Sequence, residues 1–111
     1  MVYHNHMHSL LEWIDENIYV NLKIDDVAKK SGYSKWHLQR VFSLYTGMTL
    51  GHYIRKKKVM LAANDLLSTS ESILDISIKY GYESQQSFTR TFSKHYSMPP
   101  ACYRRVMSSM K

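Results

Sequence analysis

The chain contains one pattern twice. Residues 24–33 laid on residues 73–82, at an offset of 49, align Ile24 with Ile73, Asp26 with Asp75, Lys30 with Lys79 and Gly32-Tyr33 with Gly81-Tyr82. One residue is inserted after this point, and the offset becomes 50. Ser34 then aligns with Ser84, Arg40 with Arg90, Phe42-Ser43 with Phe92-Ser93, Met48 with Met98, Tyr53 with Tyr103 and Arg55 with Arg105. A unit present only twice is no solenoid, because stacked repeats need at least about three copies to bury a continuous core. With 111 residues there is room for one compact domain or two very small helical ones. The repeat favours two copies of one helical unit.

Each copy reads as a helix, a tight turn and a second helix. Asp25 and Asp26 stand where the positive end of a helix dipole favours carboxylates. Val27, Ala28 and the stem of Lys30 continue that helix, and Gly32 ends it in a left-handed conformation. Ser34 caps the next helix by accepting a bond from a free backbone N–H. Leu38, Val41, Phe42 and Tyr45 then fall at i, i+3, i+4 and i+7, one apolar stripe, with Trp36, Gln39, Arg40 and Ser43 on the opposite face. In the second copy Ser84 is the cap. Phe88, Phe92 and Tyr96 face inward, and Gln85, Gln86, Thr89, Arg90 and Ser93 face out.

Two short helices joined by a glycine turn form a helix-turn-helix unit, whose second helix can enter the DNA major groove with its first residues against base edges. The outward residues suit that use. Arginine pairs bidentately with guanine O6 and N7, and glutamine with adenine N6 and N7, each pair giving about 1–3 kcal/mol of discrimination. Trp36 is open to two readings: apolar contact with a thymine methyl or sugar, or packing against the preceding helix. Gln39, Arg40, Gln85, Gln86 and Arg90 have ordinary solvated surface as their bland alternative.

Charge placement points the same way. The net charge is +6, yet no Asp or Glu lies between Asp26 and Asp65, a window holding Lys29, Lys30, Lys35, Arg40, Arg55, Lys56, Lys57 and Lys58. A second acid-free stretch from Ser84 onward holds Arg90, Lys94, Arg104, Arg105 and Lys111, while the remainder sets two lysines against nine acids. Basic segments alternating with acidic ones suggest two surfaces facing a polyanion. Candidate phosphate ligands are Lys35, Arg55, Lys57, Lys58, Thr89, Lys94 and Arg104, although Lys56, Lys57 and Lys58 cannot all point one way from a helix. If about six phosphates are neutralised, the logarithm of affinity falls against the logarithm of salt with a slope near −5.

The run Gly32-Tyr33-Ser34-Lys35-Trp36-His37-Leu38-Gln39-Arg40 resembles the first recognition segment of the AraC/XylS transcription regulators. Gly81-Tyr82-Glu83-Ser84-Gln85-Gln86-Ser87-Phe88-Thr89-Arg90 resembles the second, and Pro99-Pro100-Ala101-Cys102-Tyr103-Arg104 the closing Pro-x-x-Tyr-Arg element. The resemblance runs from Leu10 to Arg104 and is strongest to the short MarA/SoxS/RamA/Rob-type activators. It implies an all-α fold of seven helices, in which two helix-turn-helix subdomains are joined by a long central helix. It also implies binding to one asymmetric DNA site as a monomer. On this basis residues 1–48 form the first subdomain, with its recognition helix at about 35–46. Residues 49–67 form the linker helix, and 68–111 the second subdomain, with its recognition helix at about 85–96. Carried over residue by residue, Trp36, Gln39 and Arg40 form the first base-reading set, and Gln85, Gln86 and Arg90 the second, with Thr89 beside them. Arg55 and Arg104 would touch the DNA backbone.

The linker helix is about 28 Å long at 1.5 Å per residue, against about 34 Å between successive major grooves, which predicts bent DNA. A first helix at about 7–19 would turn Leu10, Leu11, Ile14 and Ile18 inward and Glu12, Asp15 and Glu16 outward. That acidic face is either plain solvated surface or, as the resemblance suggests, a contact for RNA polymerase.

Other chemistry finds little support. His4, His6 and His8 lack a cysteine or carboxylate partner nearby for a metal, and Cys102 reads as packing. No phosphate-cradling glycine loop, nucleophile triad or pair of catalytic carboxylates is present, so no enzyme, cofactor or small-molecule ligand is expected. No apolar run nears the roughly 18–20 residues that span a bilayer. A cytoplasmic, nucleoid-associated activator of stress or multidrug-resistance genes is the expectation, controlled through its own concentration. A non-specific or architectural DNA binder is the principal alternative, and a protein-interaction module on the same scaffold is another.

Overall fold

Each copy of the repeat closes around its own core. The computed structural model describes residues 2–110, with side chains from residue 6 onward. The described residues form seven helices and no strand: α1 Val2–Glu16, α2 Ile24–Ser31, α3 Lys35–Thr46, α4 Leu50–Ser68, α5 Ile73–Lys79, α6 Gln85–Tyr96 and α7 Pro100–Ser109. Two units result. The first takes the chain up to Ile18 and Leu22–Arg55; the second takes Tyr19–Asn21 and the chain from Lys56 onward. Helix α4 therefore gives its first turns to one unit and the rest to the other.

In the first unit α1 packs on α2 and α3. Met7, Leu10 and Ile14 of α1, Val27 and Ala28 of α2, Leu38 and Phe42 of α3, and Leu50 and Ile54 of α4 are buried. Helix α2 starts where the Asp26 carboxylate accepts from the Lys23 backbone N–H at 3.0 Å, which satisfies a donor that the first turn leaves free. It stops at Gly32 (φ +80°), whose N–H returns to the Ala28 carbonyl at 3.0 Å. Gly47 (φ +78°) ends α3 in the same way through the Ser43 carbonyl.

In the second unit α6 packs on α5 and α7. Val59, Ala62, Ala63, Leu66, Ile76, Tyr80, Phe88 and Phe92 form one buried cluster, with Tyr82, Tyr96 and Tyr103 packed against it. Ser72 caps α5 by accepting from the Asp75 N–H at 3.0 Å. Pro100, buried, opens α7 where no amide donor is needed. The short segment Tyr19–Asn21 is built into this unit. The Tyr19 ring stacks on Tyr80 at 5.2 Å, and the Val20 carbonyl accepts from Lys58 Nζ at 2.8 Å.

Two expectations from periodicity need correcting. The first helix does not run from 7 to 19: it begins by Val2 and closes at Glu16. There the Asn17 side chain bonds the Trp13 carbonyl at 2.8 Å, and its backbone N–H is shared between the Trp13 and Ile14 carbonyls. Ile18 is still buried, from the turn rather than the helix. Tyr45 does not complete the inward stripe of α3, since it is exposed. The packed line continues from Phe42 to Thr46, four residues on, and Tyr45 falls at its edge.

Candidate nucleic-acid interface

Helices α3 and α6 are built alike at their starts. Ser34 Oγ accepts from the His37 N–H at 3.2 Å, and Ser84 Oγ from the Ser87 N–H at 3.0 Å. Each serine satisfies one free first-turn donor and fixes where the helix begins. Leu38 and Phe42 anchor α3 inward, and Phe88 and Phe92 anchor α6. Opposite these anchors, Trp36, Gln39 and Arg40 of α3 are exposed, as are Gln85, Gln86 and Arg90 of α6. Thr89 is half-buried at the edge of that face.

The structure removes one of the two readings of Trp36. Its side chain is 69% exposed, so it is not packed under the preceding helix. One turn on, the Arg40 guanidinium lies 5.5 Å from the Trp36 ring centre, a cation–π contact worth about 0.5–1 kcal/mol at an exposed site. Arg40 is thereby held near the outer face of α3. At the equivalent place on α6, Gln86 stands where Trp36 does, so Arg90 has no such ring one turn before it.

The basic candidates divide. Lys35 is exposed and paired with Asp25 at 3.1 Å; such a surface pair is worth about 0–1 kcal/mol. Arg55 and Lys94 are exposed, and Lys57 is half-buried. Lys58 is a correction. Only 6% of it is exposed, and its ammonium donates to the Val20 carbonyl and lies 5.5 Å from the Tyr82 ring centre. Burial pushes its pKa below the ordinary lysine value. This lysine ties the Tyr19–Asn21 segment down and is closed to DNA. Its register gave a signal: Ile54, Lys58, Ala62 and Leu66, each four apart, are all buried on one line of α4.

Arg104 also has a structural occupation. Its Nε donates to the Leu66 carbonyl at 2.9 Å and its Nη2 to the Thr69 carbonyl at 3.3 Å, capping the C-terminal end of α4 with positive charge. No local pattern announces a bond to a carbonyl 38 positions earlier.

No cluster of His, Cys, Asp or Glu among the described residues could hold a metal. His6 Nε2 lies 3.0 Å from the Ser31 carbonyl; His8, against the expectation that no carboxylate stands nearby, pairs with Glu12 one turn on at 2.8 Å; the side chain of His4 lies outside the described residues. Cys102 is half-buried beside Arg105. No helix among the described residues is long and apolar enough to cross a membrane.

Comparison with known proteins converges on one group. The sequence profile of a family described as a helix-turn-helix domain matches residues 27–106. The regulatory protein SoxS of Salmonella typhimurium is 52% identical over 96 residues, covering 86% of this chain and 90% of its own. The probable transcription factor PqrA of Proteus vulgaris is 47% identical over 102 residues, covering 90% and 84% respectively. The multiple antibiotic resistance protein MarA of Escherichia coli is 47% identical over 98 residues, covering 88% and 77%. Among solved structures, the DNA-binding domain of AdpA in complex with a target DNA superposes with a TM-score of 0.90 at 18% identity, covering 94% of each chain, a likeness of fold. The C-terminal domain of AraT, a response regulator from Geobacillus stearothermophilus, gives 0.87 at 27% identity, covering 91% of this chain and 84% of that one. The chain belongs to the AraC/XylS family of helix-turn-helix transcription regulators, in the group that includes MarA and SoxS, and is a DNA-binding regulator rather than an enzyme.

Proposed function

We propose that the chain is a sequence-specific transcription activator that binds one asymmetric promoter site as a monomer and recruits RNA polymerase. Its α3 and α6 read adjacent major-groove segments. The observation that carries this reading is the pair of exposed faces, Trp36–Gln39–Arg40 and Gln85–Gln86–Arg90, at matching positions of two helices capped and anchored alike. The two faces differ in residues, so one copy of the chain reads two unlike half-sites, and no second copy is needed to make an asymmetric site. Arg40 and Arg90 pair with guanines, and Gln39, Gln85 and Gln86 with adenines. Trp36 gives apolar contact to a thymine methyl or sugar and steadies Arg40. Lys35, Arg55, Lys57, Thr89 and Lys94 supply backbone contacts.

Regulation of stress or multidrug-tolerance genes is supported by the relatives, one of which is named for multiple antibiotic resistance. The 19 residues of α4 support bent DNA at the site, at a cost of about 1–6 kcal/mol that depends on the sequence being bent.

Selection of bound duplexes from a random pool tests the reading. We expect a single non-palindromic site, with affinity falling against salt at a logarithmic slope of about −4, because four cations, Lys35, Arg55, Lys57 and Lys94, are left to neutralise phosphates. Arg40→Ala relaxes base preference in one half-site and Arg90→Ala in the other, each by about 1–3 kcal/mol. A pool with no enriched sequence makes the protein a non-specific binder, and loss that is uniform across all sequences makes the arginines phosphate ligands.

A further inference from the structure

Helix α3 ends its outer face on an apolar side chain. Leu44 is 79% exposed, more than any other large apolar residue among those described. Trp36, Arg40 and Leu44 stand four apart and follow one another along the side of α3 that looks away from Leu38 and Phe42. The repeat supplies an internal control. On α6 the same line reads Gln86, Arg90 and Lys94. Residues 41–50 and 91–100 match position by position in whether they are buried, half-buried or exposed, so the two helix ends sit alike in their units. Helix α6 therefore packs with a lysine where α3 has Leu44, and nothing in the folding of this unit calls for leucine there.

The surroundings say what Leu44 meets. Helix α3 carries no carboxylate, and Lys35 and Arg40 are the charged residues of its exposed face. Cations set among two exposed apolar groups suit a polyanion that itself bears apolar groups. The major groove is such a surface, with thymine C5-methyls lying between two lines of phosphate. The eight residues from Trp36 to Leu44 span about 12 Å of helix, the rise of up to three or four base pairs at about 3.4 Å each. Leu44 therefore reaches a base pair that Trp36 does not.

We propose that Leu44 is a specificity-determining residue, packed against the C5-methyl of a thymine at the edge of the half-site that α3 reads. Lys94, its counterpart, takes a phosphate, so a methyl contact holds the first half-site where charge holds the second. The inference rests on the reading of α3 and α6 given above and adds one base contact to it.

The test uses the full chain and the duplex selected from the random pool, with the first half-site identified as the one where Arg40→Ala relaxes preference. Each thymine in turn is replaced by deoxyuridine, which lacks only the C5-methyl. One edge position of that half-site weakens the parent's binding by about three- to fivefold, the effect of one buried methyl. Leu44→Ala weakens binding to the thymine duplex by about as much, and deoxyuridine at that position then has no further effect. The positions sensitive through Trp36 stay sensitive. Leu44→Lys, which gives α3 the residue that α6 already folds with, abolishes the same deoxyuridine effect. It also steepens the logarithmic salt slope by about one.

A first half-site without thymine at its edge, or a deoxyuridine pattern that Leu44→Ala leaves unchanged, overturns the contact and leaves the activator reading standing. A loss from Leu44→Ala that is equal on every duplex does the same. A parent chain that is dimeric in sedimentation and made monomeric by Leu44→Lys, with the deoxyuridine pattern intact, overturns it in favour of self-association. A pool that enriches no sequence overturns both.

Discussion

The two units share one plan and fill it with different chemistry. In the first, Leu38 and Phe42 of α3 sit in a core with the large residues Met7, Leu10 and Ile14 of α1. In the second, Phe88 takes the place of Leu38, and α4 offers Ala62 and Ala63 in the same core. A larger side chain on one helix is matched by smaller ones on the other. The second core is also a run of touching rings: Tyr82 to Phe88 at 5.2 Å, Phe88 to Phe92 at 5.7 Å, Phe92 to Tyr96 at 4.6 Å and Phe92 to Tyr103 at 5.3 Å. At the Tyr96 position the first unit has Thr46, whose hydroxyl bonds the Phe42 carbonyl at 2.8 Å instead of adding a ring. Caps and inward spacing set the fold, and core composition can change when facing residues change with it.

The sharpest difference lies at the two turns. Gly32 and Gly81 have nearly the same φ, +80° and +77°, but a Cβ on Gly32 meets open space, while one on Gly81 would lie 2.6 Å from the Val20 carbonyl carbon and 2.7 Å from the Asn21 nitrogen. Both neighbours are backbone and cannot swing away. Gly32→Ala costs only the left-handed conformation, about 1–2 kcal/mol. Gly81→Ala adds the displacement of Val20–Asn21, for a total of about 2–5 kcal/mol. Urea denaturation of the two variants measures this. Equal losses would mean that the Tyr19–Asn21 segment yields freely and contributes little to the second unit.

Exchanging core residues tests the packing match. Phe88→Leu removes ring contacts with Tyr82 and Phe92 and leaves a void among the alanines, costing about 1–2 kcal/mol. Leu38→Phe puts a ring against the larger residues of α1 and costs about 1–3 kcal/mol by overpacking. If either exchange were neutral in urea denaturation, the two cores would be interchangeable and the matching of sizes incidental.

Alkaline pH separates the units by their buried and half-buried phenols. The Tyr53 pKa is pushed up to about 12, first by burial and then by the charge and hydrogen bond of Asp15. Its neutral form is favoured in the fold. The associated stability is complete below the ordinary value of 10.0 and is lost as pH rises toward about 12. In the second unit Tyr80 is raised by burial and by its 2.6 Å bond to Asp65, and Tyr96 by burial and by Tyr103. With two such groups the second unit should weaken more steeply above pH 10. Tyr53→Phe should flatten the loss in the first unit alone, as read by phenolate absorbance together with denaturation at each pH.

What the sequence disclosed follows from how local each feature is. The caps at Ser34 and Ser84 and the inward Leu38, Phe42, Phe88 and Phe92 were legible because spacing along one helix determines them. So was the outward face of α3, although the exposure of Trp36 needed the fold to settle it. Lys58 was misread because three consecutive lysines look like a solvated face, even though its place on a buried line of α4 could have been counted out. The task of Arg104 lay beyond reach, since its partners are carbonyls on another element.

The smallest expected effect sits at the ends of α3 and α6. Gly47 and Ser97 occupy equivalent places with left-handed backbones, φ +78° and +63°, and each N–H bonds a serine carbonyl at 2.8 Å, Ser43 for one and Ser93 for the other. A Cβ costs about 1–2 kcal/mol in that conformation, while glycine gives back about 0.5–1 kcal/mol through the freedom of its unfolded chain. Ser97→Gly should therefore stabilise the second unit by about 0.5–1 kcal/mol, and Gly47→Ser should weaken the first by a similar amount. The urea midpoint of each variant reports the change, and because both substitutions leave the core untouched, the slope of the transition should stay fixed. If Ser97→Gly lowered the midpoint, the Ser97 side chain would have to stabilise the helix end by more than its backbone conformation costs, and the two ends would be alike in shape but not in what holds them.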